Sequence, residues 1–205
     1  MRVLKSTRRL LRPLRRLAKN CLERPRGVQM GEGSYIRRPY TLLYPEFLSI
    51  GDGTNIHANA YITPLKEYAE IKYNPEIKIG SGVYIGRYAY FVAIDSIVIE
   101  DGCVLSEYVY ITDNAHGLHP NKGPIMKQPL ESKGPVHIGR NCFLGFRASI
   151  MPGVTLGDSC VVGANSVVTR SFAAYSMVAG SPARLIKVFS EKSKAWLPVV
   201  NRGSE

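Results

Sequence analysis

The strongest constraint on the fold of this chain is an apolar residue that recurs every six positions. The clearest run comprises Ile138, Leu144, Ile150, Leu156, Val162 and Val168. Two positions before the later members stands a small or β-branched residue, such as Cys142, Ala148 or Val154. Residues two apart on a strand share a face, so both positions are predicted to point inward. A helix has a period of about 3.6 residues and a hairpin sheet has no fixed period of six, so the repeat predicts a parallel β-solenoid.

Three segments depart from this repeat. Residues 63–78 interrupt one corner, two extra residues occur near Asp95 and Ser96, and residues 113–136 form the largest interruption. The last segment is rich in Gly, Pro and Lys, which predicts a long projecting loop. Binding and catalytic residues concentrate on segments that leave a rigid scaffold, so we expect the functional site at the ends and tip of this loop.

The repeat resembles that of the hexapeptide-repeat acyltransferases, and the resemblance covers residues 28–188. It implies an all-β fold, namely a left-handed parallel β-helix (hexapeptide-repeat solenoid) with a projecting loop and short terminal helices. The handedness comes from the resemblance alone. The chain is then divided into a basic, helical N-terminal segment (1–27), a β-helix acyltransferase domain (28–188, with loop 113–136) and a C-terminal tail (189–205).

The start and end of the largest interruption resemble one branch of this family, the sugar, capsule and nodulation O-acetyltransferases with the related antibiotic acetyltransferases. There an Asp-His-x-His-Gly stretch opens the loop, and residues 113–117 read Asp-Asn-Ala-His-Gly. Asn114 replaces the first histidine, and His116 stands where the family has its catalytic base. The resemblance therefore implies that His116 is the general base. Asp113 and Asn114 would orient the imidazole or bind acceptor hydroxyls.

Acetyl transfer from a thioester to an alcohol needs a base with a pKa near neutrality, which histidine supplies. The acceptor hydroxyl attacks the thioester itself, so the reaction requires no serine or cysteine nucleophile. A single histidine at position 116 is therefore sufficient for this chemistry.

Residues 162–170 and 175–184 resemble the donor-site stretches of the same family, which hold acetyl-CoA in a groove between two subunits. Small side chains there admit the pantetheine arm and cations meet the phosphates. Two positions depart from the usual pattern, since Asn165 replaces Gly and Arg170 replaces Lys. The implied cofactor-binding residues are Phe146, Ala164, Thr169, Arg170, Arg184 and Lys187.

Neither the cysteines nor the histidines have the spacing of a metal site. Cys142 and Cys160 are 18 residues apart at inward positions, and Cys103 fills a similar small position, so all three are predicted core thiols. His119 follows His116 by three residues, but metal hydratases with related coils need two histidines five apart and a distant third. We expect no metal ion.

The formal net charge of +11 belongs largely to one end of the chain. Residues 1–26 carry +9, and an apolar stripe at helical spacing runs through them from Leu10 to Cys21. Three interpretations stay open for this segment: contact with an anionic membrane, a helix packed on the end of the solenoid, or a solvated tail. Nucleic-acid binding is not favoured, because no base-reading or stacking module accompanies the charge.

The compartment and the assembly are predicted from different features. No apolar run approaches the roughly 20 residues of a membrane span, and the four cysteines lack a disulfide framework. Both features favour a cytoplasmic protein. If the basic segment binds a membrane, the protein would be peripheral at its inner face. The resemblance implies a homotrimer. Aromatic residues predicted at outward positions could serve that interface or an acceptor platform, and they are Tyr84, Tyr88, Tyr90 and Tyr110.

These features predict an acetyl-CoA-dependent O-acetyltransferase that acts on a sugar hydroxyl, such as one on a surface-polysaccharide precursor. Antibiotic O-acetylation and amino-sugar N-acetylation are the alternatives among enzymes. Amino-sugar enzymes commonly add an N-terminal α/β domain, whereas 26 basic-rich residues precede the coil here. The alternative outside enzymes is an inactive solenoid scaffold.

Overall fold

A computed structural model describes residues 25–199, which wind through three β-sheets in repeating order, with parallel pairing between successive coils. Sheet A contains Gln29–Met30, Leu48–Ile50, Glu76–Ile79, Ser96–Ile99, Val136–Ile138 and Thr155–Leu156. Sheet B contains Tyr35–Ile36, Asn55–Ile56, Tyr84–Ile85, Val104–Leu105, Phe143–Leu144, Val161–Val162, Ser176–Gly180, Ala183–Ser190 and Ala195–Pro198. Sheet C contains Tyr40–Leu42, Ala60–Pro64, Tyr90–Ala93, Tyr110–Thr112, Ser149–Ile150 and Val167–Val168. The predicted parallel β-helix is confirmed.

The core is a stack of equivalent residues from successive coils. On sheet A the register places Ile79 beside Ile99, Ile99 beside Ile138, and Ile138 beside Leu156, all of them buried. Burying one such side chain contributes about 1.5–3 kcal/mol, so each added coil extends a continuous apolar column. The six-residue repeat of apolar residues in the sequence follows directly from this stacking.

The three cysteines of the β-helix lie in the core, as predicted. Cys103, Cys142 and Cys160 are free, buried thiols. The sulfur of Cys103 lies 3.0 Å from the carbonyl oxygen of Gly139, and that of Cys142 lies 3.2 Å from the carbonyl oxygen of Gly157. Each thiol fills a small inward position and meets the backbone of the next coil.

One backbone conformation repeats at the corner between sheets B and C. Tyr88, Tyr108, Arg147 and Asn165 all have φ between 55° and 60°, in the left-handed region. The N–H of Asn165 donates to the carbonyl of Phe146 one coil earlier, at 2.8 Å. Asparagine adopts left-handed backbone more readily than most residues except glycine, so Asn165 fits this corner in place of the expected Gly.

Both long interruptions leave sheet C at its corner with sheet A and form antiparallel hairpins. We call residues 65–75 the tyrosine hairpin and residues 113–136 the histidine loop. Short 3-10 helices lie at Pro45–Phe47 and, in the histidine loop, at Ile125–Lys127. The paired hairpin strands are Glu67–Tyr68 with Ile71–Lys72, and Asn114–His116 with Leu130–Ser132.

The C-terminal end of the described chain forms strands in place of the short helix that the resemblance implies. Ala183–Ser190 pairs antiparallel with the last coil strand, Ser176–Gly180, and Ala195–Pro198 adds a further strand. The ring of Trp196 packs edge-on against that of Phe189, with centroids 5.5 Å apart. The last coil exposes an unpaired sheet edge, and this hairpin supplies its hydrogen-bonding partner.

The predicted basic helix of segment 1–27 lies outside the described residues except for positions 25–27, and so do residues 200–205 of the predicted tail. Within residues 25–199, no helix has both the length and the apolar character needed to cross a membrane.

Candidate active site

His116 lies at the base of the histidine loop, at the end of strand Asn114–His116. It faces Leu130 across the two-stranded antiparallel ladder. Its imidazole is half-buried, and Nδ1 is fully buried with no hydrogen-bond partner among the described residues. A buried polar atom without a partner costs about 1–3 kcal/mol, and such costs concentrate at functional positions.

The two interruptions of the repeat meet around this histidine. The ring of Tyr68, in the tyrosine hairpin, packs against the imidazole of His116 with centroids 5.4 Å apart and planes at 69°. The Tyr68 hydroxyl donates to the carbonyl of Met126 at 2.9 Å. The Tyr73 hydroxyl donates to the carbonyl of Leu130 at 3.2 Å and accepts the Leu130 N–H at 3.0 Å. The tyrosine hairpin therefore braces the histidine loop at its tip and at its base.

Asp113 and Asn114 form the hydrogen-bonded base of the loop. The Asp113 carboxylate is fully buried and accepts the N–H groups of Ile94 at 3.0 Å and Asp95 at 2.8 Å. It also accepts the Asn114 side-chain amide at 2.9 Å. Burial raises the pKa of Asp113, against the lowering effect of these hydrogen bonds. No hydrogen bond joins either side chain to His116 in the part of the chain that the structure describes.

The loop tip is held by a buried glutamine. The Gln128 side chain accepts the N–H of His119 at 3.0 Å, and donates to the carbonyls of His119 at 3.0 Å and Gly123 at 2.9 Å. The ring of His119 is engaged elsewhere, since its Nδ1 accepts the N–H of Asn121 at 3.2 Å. Across residues 25–199 there is no group of three or more His, Cys, Asp or Glu side chains arranged to hold a metal ion.

The predicted donor-binding residues are all exposed, but the structure does not place them together. Phe146 and Ala164 occupy the same position of the B–C corner in adjacent coils. Arg184 pairs with Ala179 on the strand added to sheet B, and Lys187 follows on that strand. Thr169 and Arg170 instead follow the last strand of sheet C, Val167–Val168, and so lie at the other end of that sheet, at the corner between sheets C and A.

Successive coils approach closely at the B–C corner, as they do at the A–B corner. A Cβ added at Gly145 would lie 2.7 Å from the backbone nitrogen of Ala164, too near for any side chain. The Ala164 side chain is small and exposed, and the exposed ring of Phe146 lies beside it. The B–C corner therefore presents a small side chain to solvent, with an aromatic ring on one side.

His116 and this corner lie on different edges of the β-helix. The histidine loop leaves sheet C at its C-terminal edge, whereas Ala164 precedes the N-terminal edge of the same sheet. Strands rise by about 3.3 Å per residue, so the width of sheet C separates the two groups by roughly 10 Å or more. The structure therefore does not bring His116 and the B–C corner together within one chain.

Sequence reasoning identified His116 and the loop but missed Tyr68 and Tyr73. Both lie in the interruption at 63–78, for which no individual residue was predicted to act at the site. The available signal was the presence of two tyrosines in a segment that leaves the repeat.

Sequence comparison places this β-helix among known repeats. Residues 76–113 and 135–170 match the family described as "Hexapeptide repeat of succinyl-transferase". A protein of Escherichia coli (strain K12), provisionally named lipopolysaccharide biosynthesis O-acetyl transferase WbbJ, is 32% identical over 127 residues, which cover 58% of this chain and 64% of that protein. A provisionally named acetyltransferase of Staphylococcus aureus (strain COL) is 32% identical over 118 residues, 56% of either chain. This chain thus spans less than two thirds of the length of both relatives.

Solved structures share the same fold. The N-acyltransferase AntD from Bacillus cereus, in complex with dTDP and 3-hydroxybutyryl-CoA, has a TM-score of 0.69 at 22% identity, covering 82% of this chain and 86% of its own. PerB from Caulobacter crescentus, in complex with CoA and GDP-perosamine, has a TM-score of 0.53 at 22% identity, covering 74% of this chain and 56% of its own. At these identities the likeness concerns the fold alone.

Proposed function

We propose that this chain, whose residues 76–113 and 135–170 match the hexapeptide-repeat family, transfers an acetyl group from acetyl-CoA to a hydroxyl of a sugar or surface-polysaccharide precursor. The observation that carries this proposal is His116, a half-buried histidine at the point where both interruptions of the repeat meet. The name of the Escherichia coli relative, a lipopolysaccharide O-acetyl transferase, supports the acceptor class. The CoA and acyl-CoA bound in the solved relatives support the donor.

His116 acts as the general base in this proposal. Its imidazole takes the proton of the acceptor hydroxyl while the hydroxyl oxygen attacks the thioester carbonyl carbon. The tetrahedral adduct then expels the CoA thiolate as the carbon–sulfur bond breaks, and the imidazolium returns the proton to the sulfur. We assign the proton transfer to Nε2, since Nδ1 is buried. Asp113 and Asn114 act through the loop base, because their hydrogen bonds hold the strand on which His116 lies.

The B–C corner is the proposed donor surface. The pantetheine arm lies along the backbone at Ala164, with the exposed ring of Phe146 beside it. Arg184 and Lys187, both exposed on the added strand, meet the phosphates of CoA, since guanidinium and ammonium groups are strong phosphate donors. Thr169 and Arg170, at the far corner, contact a donor bound to a neighbouring copy.

A homotrimer completes the site in this proposal. His116 and the donor corner lie on different edges of one chain, so a histidine from one copy would face acetyl-CoA on the next. The exposed rings of Tyr84, Tyr88 and Tyr90 supply apolar surface for such an interface, and the half-buried Tyr110 stacks on Tyr90 with centroids 5.7 Å apart. The free buried thiols favour a reducing compartment, in keeping with a cytoplasmic location.

Transfer to an amine is the second candidate, favoured by the fold shared with the N-acyltransferase AntD and with perosamine N-acetyltransferase from Caulobacter crescentus. The same base would serve both reactions. The products differ, because an O-acetyl ester is cleaved by hydroxylamine and an amide is not.

The test is a thiol-release screen with acetyl-CoA over sugars, amino-sugars and polysaccharide fragments, followed by hydroxylamine treatment of the product. On a responsive acceptor, we expect His116→Ala to lower kcat by about 100-fold or more, the usual contribution of a general base. His137→Ala is the matched control, since His137 lies on the outer face of sheet A, 3.7 Å from Glu100. Equal activity of the two variants would refute the role of His116, and failure to bind CoA would favour an inactive scaffold.

A further inference from the structure

We propose that Tyr68 is a positioning residue of the acetyl-transfer site, which fixes the orientation of the His116 imidazole. This inference rests on the proposed function, since it concerns the same histidine. It adds a residue from the tyrosine hairpin, a segment in which the resemblance implies no site residue.

The ring of Tyr68 contacts the imidazole directly. The centroid distance of 5.4 Å and the angle of 69° describe an edge-to-face pair, the arrangement that ring quadrupoles favour. His116 is the last residue of its short strand, and its Nδ1 has no hydrogen-bond partner among the described residues. The Tyr68 ring is therefore in a position to limit rotation of the imidazole.

The hydroxyl of Tyr68 fixes the ring in turn. It donates to the carbonyl of Met126, in the 3-10 helix of the histidine loop, at 2.9 Å. Tyr68 thus contacts the histidine with its ring and the loop tip with its hydroxyl. The two contacts hold the imidazole and the tip in one relative position.

The tyrosine hairpin is anchored to the coils, so it can act as a fixed support. The N–H of Tyr73 closes the hairpin by donating to the carbonyl of Lys66 at 2.8 Å. The Lys66 ammonium lies 3.5 Å from the Glu46 carboxylate and 4.9 Å from the centre of the Tyr44 ring. Glu46 and Tyr44 belong to the turn between the first two coils, which ties the hairpin to the body of the β-helix.

Orientation matters because proton transfer needs a heavy-atom distance of about 2.6–3.2 Å. An imidazole that can rotate spends less time at that distance, which lowers the rate of the chemical step. The residues proposed to bind acetyl-CoA at the B–C corner do not include Tyr68. We therefore expect loss of the Tyr68 ring to lower kcat while the KM for acetyl-CoA changes little.

Tyr73 offers a matched control for a purely structural role. Its hydroxyl exchanges two hydrogen bonds with the backbone of Leu130, the ladder partner of His116, but no ring contact joins Tyr73 to the imidazole. Tyr73→Phe loosens the loop base and leaves the Tyr68 contact in place. Tyr68→Leu removes the ring, and Tyr68→Phe keeps it without the hydroxyl.

The experiment measures kinetics and the NMR resonances of the histidine imidazoles in the full chain, with the His116 signal assigned by its loss in His116→Ala. We expect Tyr68→Leu to lower kcat by roughly 10- to 100-fold and to move the His116 ring-proton resonance, as the Tyr68 ring current is lost. We expect Tyr68→Phe to recover most of the rate, and Tyr73→Phe to leave the His116 resonance in place. If Tyr68→Leu does not fold, Tyr68→Met tests the same loss with a side chain that fills more of the space.

An unmoved His116 resonance in Tyr68→Leu, or equal losses of rate in Tyr68→Leu and Tyr73→Phe, would overturn the proposal. The resonance measurement requires no acceptor. If the wild-type protein acetylates nothing, the proposed function fails, and the resonance still decides whether the Tyr68 ring lies against His116.

Discussion

The carboxylate of Asp113 accepts the backbone N–H of Asp95 at 2.8 Å, across two neighbouring coils. Asp95 lies at the corner where the coil carries two extra residues, and Asp113 is the first residue of the histidine loop. The same carboxylate also accepts the N–H of Ile94 and the side chain of Asn114. Two irregularities of the repeat are therefore joined by one buried side chain.

Replacing this carboxylate is expected to destabilise the fold. Asp113→Ala leaves the buried N–H of Ile94, the partly buried N–H of Asp95 and the Asn114 amide without their acceptor, and each unsatisfied buried donor costs about 1–3 kcal/mol, not additively. We expect the free energy of unfolding in urea to fall by about 2–4 kcal/mol. Asp101→Ala is the control, since Asp101 accepts the Ser81 N–H in an exposed position, and it should lose clearly less. Equal losses of unfolding free energy in the two variants would show that burial of the Asp113 carboxylate adds nothing to its contribution.

The pH dependence of stability should carry a signature of Asp113. Burial raises its pKa in the folded protein above the ordinary value of 3.8, so the folded state holds this proton more tightly than the unfolded state does. The sign follows from linkage: this stabilisation is fully present below pH 3.8 and is lost as pH rises through the raised pKa. Asp113→Asn cannot titrate, so the difference in unfolding free energy between wild type and variant should change across that window, measured by urea unfolding at a series of pH values. A constant difference would contradict the raised pKa.

The sequence predicts those features whose cause lies in the repeat. The inward position of Ile138, the stacking of the cysteines and the pairing of Phe146 with Ala164 follow from counting six and eighteen residues along the chain. The contact between Tyr68 and His116 could not be predicted, because it joins two interruptions 48 positions apart whose folding the repeat does not determine. Nor could the strand Ala183–Ser190, since it follows no six-residue period and forms to pair the open edge of the last coil.

A large side chain placed on the proposed donor surface tests whether acetyl-CoA binds there. Ala164→Trp places a large side chain on the exposed B–C corner without disturbing the core, since the Ala164 side chain points to solvent. We expect the KM for acetyl-CoA to rise by about 10-fold or more, because the bulky ring occupies the space proposed for pantetheine. Steady-state kinetics at saturating acceptor measure this, with Thr155→Trp on the exposed face of sheet A in the same coil as the control. A similar KM for both variants would show that acetyl-CoA does not bind at this corner.

Sharing of the active site between copies can be tested by mixing two inactive variants. One variant carries His116→Ala, and the other carries Arg184→Glu and Lys187→Glu on the proposed donor surface. If each site takes its histidine from one copy and its donor surface from the next, random mixed trimers should recover about a quarter of the wild-type activity, since half the histidines and half the donor surfaces remain intact. The measurement is thiol release after the two variants are unfolded and refolded together, with each refolded alone as the control. If both groups act within one chain, every chain in the mixture lacks one of them, and no activity returns.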